Sequence, residues 1–135
     1  MVAFYLGYRT VGWVLVRFGS RWGIRGLEDW ASLPVLLLLL SIFSFLVTPI
    51  GSAFSRYLEH QADQYGLEVT HGLTPDSNQV AARAFQVLGE VGLSDPDPNP
   101  LDVFLFYDHP PISNRVRFCV TYDPWARGGQ GEFVK

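Results

Sequence analysis

The longest apolar run of the chain covers residues 33–54 and contains no charged residue. A helix needs about 20 apolar residues to cross the hydrocarbon core of a bilayer. A helix at the edge of a soluble core would also show a polar face, and here the only polar side chains are Ser41, Ser44, Thr48 and Ser52. The pattern therefore predicts that residues 33–54 form a membrane-spanning helix.

A second apolar segment covers residues 1–18 and is interrupted by Arg9 and Arg17. Its positive charges do not precede the apolar run and no small-residue cleavage site follows, so it does not fit a secretory signal peptide. We interpret it as a transmembrane helix whose N-terminal portion is missing. Arg9 would face protein or snorkel, because a charge at the bilayer centre costs at least roughly 2.5 kcal/mol. A short charged turn would join the two helices into a membrane hairpin over residues 1–54.

The chain becomes polar after Gly51, and the helical pattern continues out of the predicted membrane until Gly72 ends it. A turn at residues 74–77 leads into a second helix, expected over about residues 78–91. The repeated prolines of residues 95–100 exclude a helix there, because a residue that precedes proline is pushed out of the helical region.

A final short helix is expected around the two prolines at 110 and 111. The predicted fold class is therefore all-α. It has two parts, the membrane hairpin of residues 1–54 and a helical C-terminal part over residues 55–135.

Composition narrows the possible functions. A hydrophobic fraction of 48% and a charged fraction of 17% are unlike a disordered tail. A formal net charge of -3 argues against a nucleic-acid partner, because neutralising phosphates requires a clustered excess of Lys and Arg. Cys119 is the single cysteine, so an intrachain disulfide and a structural zinc ribbon are both excluded.

Two acids, Glu59 and Asp63, lie four residues apart and therefore project from one face of the predicted helix. Like charges at this spacing repel, so the pair indicates a nearby metal, histidine or arginine. Arg56, one turn earlier, can provide part of this compensation. Taken alone, such a pair is more typical of a solvated surface with ordinary salt bridges. Here it follows a membrane helix and precedes His109 and Arg115.

The motifs around these residues occur in a defined order. Ser55, Arg56, Glu59, Ala62 and Asp63 match an SRxxExxAD pattern, and His109, Pro110 and Arg115 match an HPxxxxR-like pattern. From the hairpin to about Arg117, the chain resembles the integral-membrane zinc metallopeptidases that include the CAAX prenyl protease type 1 and the heat-shock protease HtpX. The resemblance implies that residues 55–135 are the C-terminal part of a gluzincin-type metallopeptidase domain, which hydrolyses peptide bonds by metal-activated water.

The resemblance also implies roles for four residues. Glu59 would be a ligand of one zinc ion, in a site of two histidines and one glutamate that leaves a position for water. Asp63 would accept a hydrogen bond from a zinc-bound histidine. His109 would donate to the oxyanion, and Arg115 would hold the Glu59 carboxylate or the substrate backbone. Two simpler roles remain open, in which His109 caps the last helix and Arg56 anchors to lipid headgroups.

The HExxH motif of that family is absent. The chain has three histidines, His60, His71 and His109, and none is followed by Glu. His60 lies about 100° around the helix from Glu59 and is not expected to be a ligand. His71 suits a helix end, where a cation favours the macrodipole.

Because HExxH supplies two zinc ligands and the general base, we expect this chain alone to be an inactive fragment of a zinc-dependent endopeptidase. Two alternatives stay open. One is a catalytically inactive membrane adaptor of the same fold, and the other is an unrelated membrane hairpin with a partner-binding helical tail.

The resemblance implies a peptide or protein substrate, a lipid bilayer around the hairpin, and a bacterial inner (cell) membrane with the C-terminal part in the cytoplasm. The positive-inside rule favours the opposite orientation, because Arg9, Arg17, Arg21 and Arg25 cluster in or near the hairpin turn. We follow the resemblance in the predicted orientation.

Overall fold

A computed structural model describes residues 2–134, in which helices and loops occur without any strand. The predicted all-α class is confirmed. The chain divides into two compact units, one up to Val47 and one from Thr48 onward. The predicted boundary after residue 54 stays a prediction. Met1, the first residue of the predicted N-terminal segment, lies outside the described residues.

The first unit begins with α1 (Val2–Trp22), which extends beyond the predicted segment and ends before Gly23, whose φ is +71°. A 3₁₀ turn (Trp30–Ser32) follows the connecting loop. Its N-cap, Asp29, accepts hydrogen bonds from the backbone amides of Ala31 and Arg25, each at 3.1 Å. These two bonds lower the pKa of the Asp29 carboxyl, and the bond from Ala31 has the larger effect. The charged turn is therefore an ordered cap rather than an open loop.

The second helix, α2 (Leu33–Thr70), has 38 residues and joins the predicted span to the polar segment that carries Glu59. Within the part of the chain that the structure describes, Trp30–Thr70 is the one helical stretch long and apolar enough to cross a membrane by length and composition. Only 6% of the most apolar 18-residue stretch of this helix is buried. The helix ends as predicted near Gly72, whose φ of +77° favours a residue without a side chain.

Three further α-helices lie in the second unit. They are α3 (Ser77–Val91), α4 (Pro100–Phe106) and α5 (Ile112–Thr121), and a 3₁₀ turn (Trp125–Arg127) follows them. The sequence interpretation missed α4. Its N-cap is Asn99, whose side chain accepts a hydrogen bond from the amide of Leu101 at 2.8 Å, and Pro100 occupies the first turn. Asn followed by Pro is a helix-start signal that the surrounding prolines hid.

The core of this unit is small. Leu67, Ala82 and Cys119 are buried, and they bring together α2, α3 and α5. A side chain at Gly89 would meet Cγ2 of Ile112 at 2.9 Å, so this glycine lets α3 and α5 approach closely. Burial, and then the charge of Asp63, raise the pKa of the Cys119 thiol. A neutral thiol with no exposed surface packs as a small hydrophobe.

Candidate functional site

Arg115 of α5 lies against both acids of the α2 face. Its Nε and Nη2 donate to the two carboxylate oxygens of Asp63 at 2.7 and 2.5 Å. Its Nη1 lies 3.3 Å from Oε2 of Glu59. The side chains of Arg115 and Asp63 are only 15% and 8% exposed. A single guanidinium therefore offsets the repulsion between two acids on one helical face.

The aromatic ring of Phe85 on α3 supports this guanidinium. The Cζ atom of Arg115 lies 4.1 Å from the ring centroid, within the range of a cation–π interaction. The planar group is thus held at its edges by carboxylates and on one face by an aromatic ring. This arrangement leaves it little freedom to turn away from Glu59.

His109 comes to the same carboxylate from the loop before α5. Its Nδ1 hydrogen-bonds to Oε1 of Glu59, while its side chain stays 62% exposed. The N-cap of α5 is Pro111, and no side chain caps that helix. The structure therefore places His109 at Glu59 and not at the helix end. Its imidazole is open to solvent and can meet a bound molecule.

Arg56 occupies a different position from the one its spacing suggested. Its Nη1 donates to the carbonyl oxygen of Val103 at 3.1 Å and also to that of Tyr107. The cation that lies beside both acids is Arg115, since Arg56 is engaged with the end of α4. A half-buried guanidinium bound to carbonyls is also poorly placed to bind lipid headgroups.

The other two histidines pack against aromatic rings. The ring centroid of His60 lies 4.4 Å from that of Phe118, and His71 stacks on Trp125 at 3.6 Å with an interplanar angle of 11°. Across residues 2–134, no three His, Cys, Asp or Glu side chains are grouped so that they could hold a metal ion. Glu59 can therefore provide one carboxylate ligand of a zinc site, with the imidazole of His109 beside it. Within residues 2–134 the structure does not bring together the three protein ligands of a complete site.

The structure also contains a buried acid that the sequence interpretation did not identify. Glu68 is 3% exposed and accepts five hydrogen bonds. The donors are Nε2 of Gln64 at 3.1 Å, the hydroxyl of Tyr122, and the backbone amides of Glu132, Phe133 and Val134 at 2.9, 2.7 and 2.8 Å. We call this set the Glu68 cluster.

The hydrogen bonds of the Glu68 cluster determine its charge. Burial raises the pKa of Glu68, but the bonds from Tyr122, from the amides of Val134 and Glu132, and from Gln64 outweigh burial and lower it to about 2. Gly131 is required for this close approach, because a side chain there would lie 2.5 Å from the carboxylate oxygen. No local sequence pattern indicated the cluster, since four of its five donors are remote in the chain.

Comparisons with known proteins show which family the sequence is similar to. The sequence matches peptidase family M48 over residues 1–122. It is 43% identical over 98 residues to an uncharacterized metalloprotease, YhfN, of Bacillus subtilis (strain 168). The matched residues make up 73% of this chain and 22% of the relative. The chain thus spans about a fifth of the length of that relative. No solved structure matches. With most of its length matched, the chain belongs to peptidase family M48.

Proposed function

We propose that this chain contributes Glu59 as a zinc ligand and His109 as an oxyanion donor to a zinc-dependent endopeptidase. The two remaining ligands and the general base would come from residues outside the chain, because it has no HExxH motif. The observation that carries the proposal is the meeting of His109 and Arg115 on the Glu59 carboxylate. Family membership supports it, as does the similarity to a protein described as a metalloprotease.

Each side chain has a distinct part in this proposal. A bound zinc ion would act as a Lewis acid and activate water. Arg115 approaches Oε2 of Glu59 and so fixes the plane of the carboxylate. His109 lies within hydrogen-bond reach of Oε1, so its imidazole would be near any group bound next to that ligand atom. There it would stabilise the charge that develops on the peptide oxygen.

Asp63 retains the capacity for the role that the family resemblance implies. Each carboxylate oxygen has two lone pairs, and Arg115 uses one on each oxygen. An imidazole N–H from a zinc-bound histidine outside this chain could therefore still be accepted. Such a bond would fix the tautomer and orientation of the ligand histidine.

The substrate class in this proposal is a peptide or protein, and the setting is a bilayer that surrounds residues 33–54. The apolar helix and its largely unburied 18-residue stretch favour a membrane. We place the protein in a bacterial cell membrane with the C-terminal part in the cytoplasm. The bacterial relative supports the source but not the orientation.

Zinc content and peptide cleavage test the proposed site. A chimaera of the Bacillus relative, in which the 98 matched residues are replaced by those of this chain, supplies the remainder of the domain. We expect one zinc per chimaera and cleavage of a peptide library. Glu59→Ala should lose both, because a catalytic site needs three protein ligands to retain zinc. His60→Ala, which alters a ring packed on Phe118, is the matched control and should keep its zinc.

Two results would contradict the proposal. One is tight stoichiometric zinc bound at Glu59 by the 135-residue chain alone, and the other is full zinc and turnover in the Glu59→Ala chimaera. A second candidate, a catalytically inactive adaptor of the same fold, is favoured only by the missing HExxH motif. Zinc-loaded but inactive chimaeras would support that alternative.

A further inference from the structure

We propose that Arg56 is a positioning residue that fixes the backbone segment presenting His109 to Glu59. The inference rests on the proposed function only in giving His109 a part in catalysis. One guanidinium on α2 sets the distance between that helix and the His109 loop. Arg56 would act through His109 and would not itself touch substrate.

The first support is the pair of carbonyls that Arg56 binds. Val103 lies in α4, and Tyr107 is the C-cap, where the backbone turns to an extended conformation with φ -84° and ψ 117°. The last carbonyls of a helix have no intrahelical donors and carry a partial negative charge. A single cationic nitrogen that donates to both carbonyls therefore stabilises the end of α4.

The second support is the shortness of the segment that leads to His109. His109 lies two residues after the bound carbonyl of Tyr107, and two prolines with restricted φ follow it. Pro111 is buried, and its carbonyl accepts the amides of Asn114 and Arg115 at 3.0 and 3.2 Å. The segment is thus held on one side by Arg56 and on the other by the start of α5.

The third support is that Arg56 and Glu59 belong to the same helix, α2. Arg56 and Glu59 lie three residues apart on α2, a spacing that places two side chains on neighbouring positions of one helical face. The helix that carries the Glu59 carboxylate therefore also carries the group that holds the His109 loop. A change in the position of α4 relative to α2 would be transmitted to the Glu59–His109 contact.

The test compares Arg56→Gln and Arg56→Lys with the control Arg83→Gln, which alters an arginine of α3 that is 64% exposed. The first readout is nitrogen NMR of the His109 imidazole in the full 135-residue chain in detergent, at one fixed pH. We expect Arg56→Gln to move the Nδ1 signal toward that of a free imidazole while helical circular dichroism is unchanged. Arg56→Lys should be intermediate, and Arg83→Gln should match the unsubstituted chain.

The second readout is steady-state kinetics in the zinc-loaded chimaera. Arg56→Gln should lower kcat about 10-fold or more, with KM and zinc content little changed, and Arg56→Lys should recover part of the loss. An unaltered His109 signal in a folded Arg56→Gln chain would overturn the proposal, as would an unchanged kcat. If Arg56→Gln does not fold, the same two criteria apply to Arg56→Lys. An inactive unsubstituted chimaera would count against the proposed function alone, because the NMR readout does not depend on activity.

Discussion

Arg115 and Asp63 form a two-point ion pair that joins α5 to α2 across 52 residues of sequence. Both side chains are largely buried, and the guanidinium also faces the ring of Phe85. A buried pair of this kind is costly to break on one side, since the remaining charge has no partner and little water. The pair therefore supports the second unit of the fold as well as the orientation of Glu59.

Removing the arginine should weaken the fold. We expect Arg115→Met to lower the free energy of unfolding by about 3 kcal/mol, because it leaves the buried Asp63 charge unpaired. Urea titration in detergent, followed by circular dichroism, measures the change. Arg83→Met removes an exposed pair with Glu90 and should change stability by no more than about 0.5 kcal/mol. Equal effects of the two substitutions would show that the Asp63 pair contributes no more than a surface contact.

Loss of the His109 imidazole should affect the chemical step. In the zinc-loaded chimaera, we expect His109→Ala to lower kcat about 100-fold or more while zinc content and KM stay close to the parent values, because an oxyanion donor acts mainly on the transition state. His71→Ala, which removes a ring stacked on Trp125, provides the comparison and should retain kcat. A His109→Ala enzyme with normal kcat would exclude the oxyanion role.

The Glu68 cluster should make stability depend on acid pH. The pKa of Glu68 is lowered from 4.5 to about 2 in the folded chain, so its ionised form favours folding. This contribution is complete above the unfolded pKa and is lost as pH falls from about 4.5 toward about 2. At neutral pH, Glu68→Gln should cost about 2 kcal/mol, the usual range for hydrogen bonds to a charged group.

Urea midpoints of the parent and Glu68→Gln chains across this pH range provide the measurement. The difference between them should narrow as pH falls, because the parent carboxylate becomes protonated. Glu90→Gln, at a residue whose side chain is 67% exposed, is the control and should show no such convergence. If the difference in urea midpoint stayed constant down to a pH of about 2, the loss of stability in Glu68→Gln would come from side-chain shape and not from charge.

The proposed topology predicts accessibility from opposite sides of the membrane. In a Cys119→Ala background, a cysteine introduced at Ser77 should be labelled only by a reagent on the cytoplasmic side. A cysteine at Glu28, in the turn before α2, should be labelled only from outside. Labelling of Ser77 from outside alone would reverse the orientation, and labelling of both positions from one side would contradict a single span over residues 33–54.

The helices with strong periodicity were predictable, and the contacts that depend on distant residues were not. The long apolar run and Gly72 predicted α2, while α4 was missed because it is short and set among prolines. The spacing of Glu59 and Asp63 indicated a nearby cation. It could not show which acid accepts two hydrogen bonds from the Arg115 guanidinium, because that depends on how α5 lies against α2. For the same reason, no local pattern revealed the distant partners of Arg56 and Glu68.

The Glu68 cluster has a consequence for the order in which the chain can fold during synthesis. The backbone amides that bind Glu68 lie 64 to 66 residues later, so the ribosome makes them long after α2. Until they emerge, the carboxylate must stay in water, because burying an unpaired charge is strongly unfavourable. Closing a loop of this length also costs entropy, which the finished set of bonds offsets. The polar end of α2 therefore remains hydrated until Val134 has emerged from the ribosome, and an unfinished chain would keep that acid exposed.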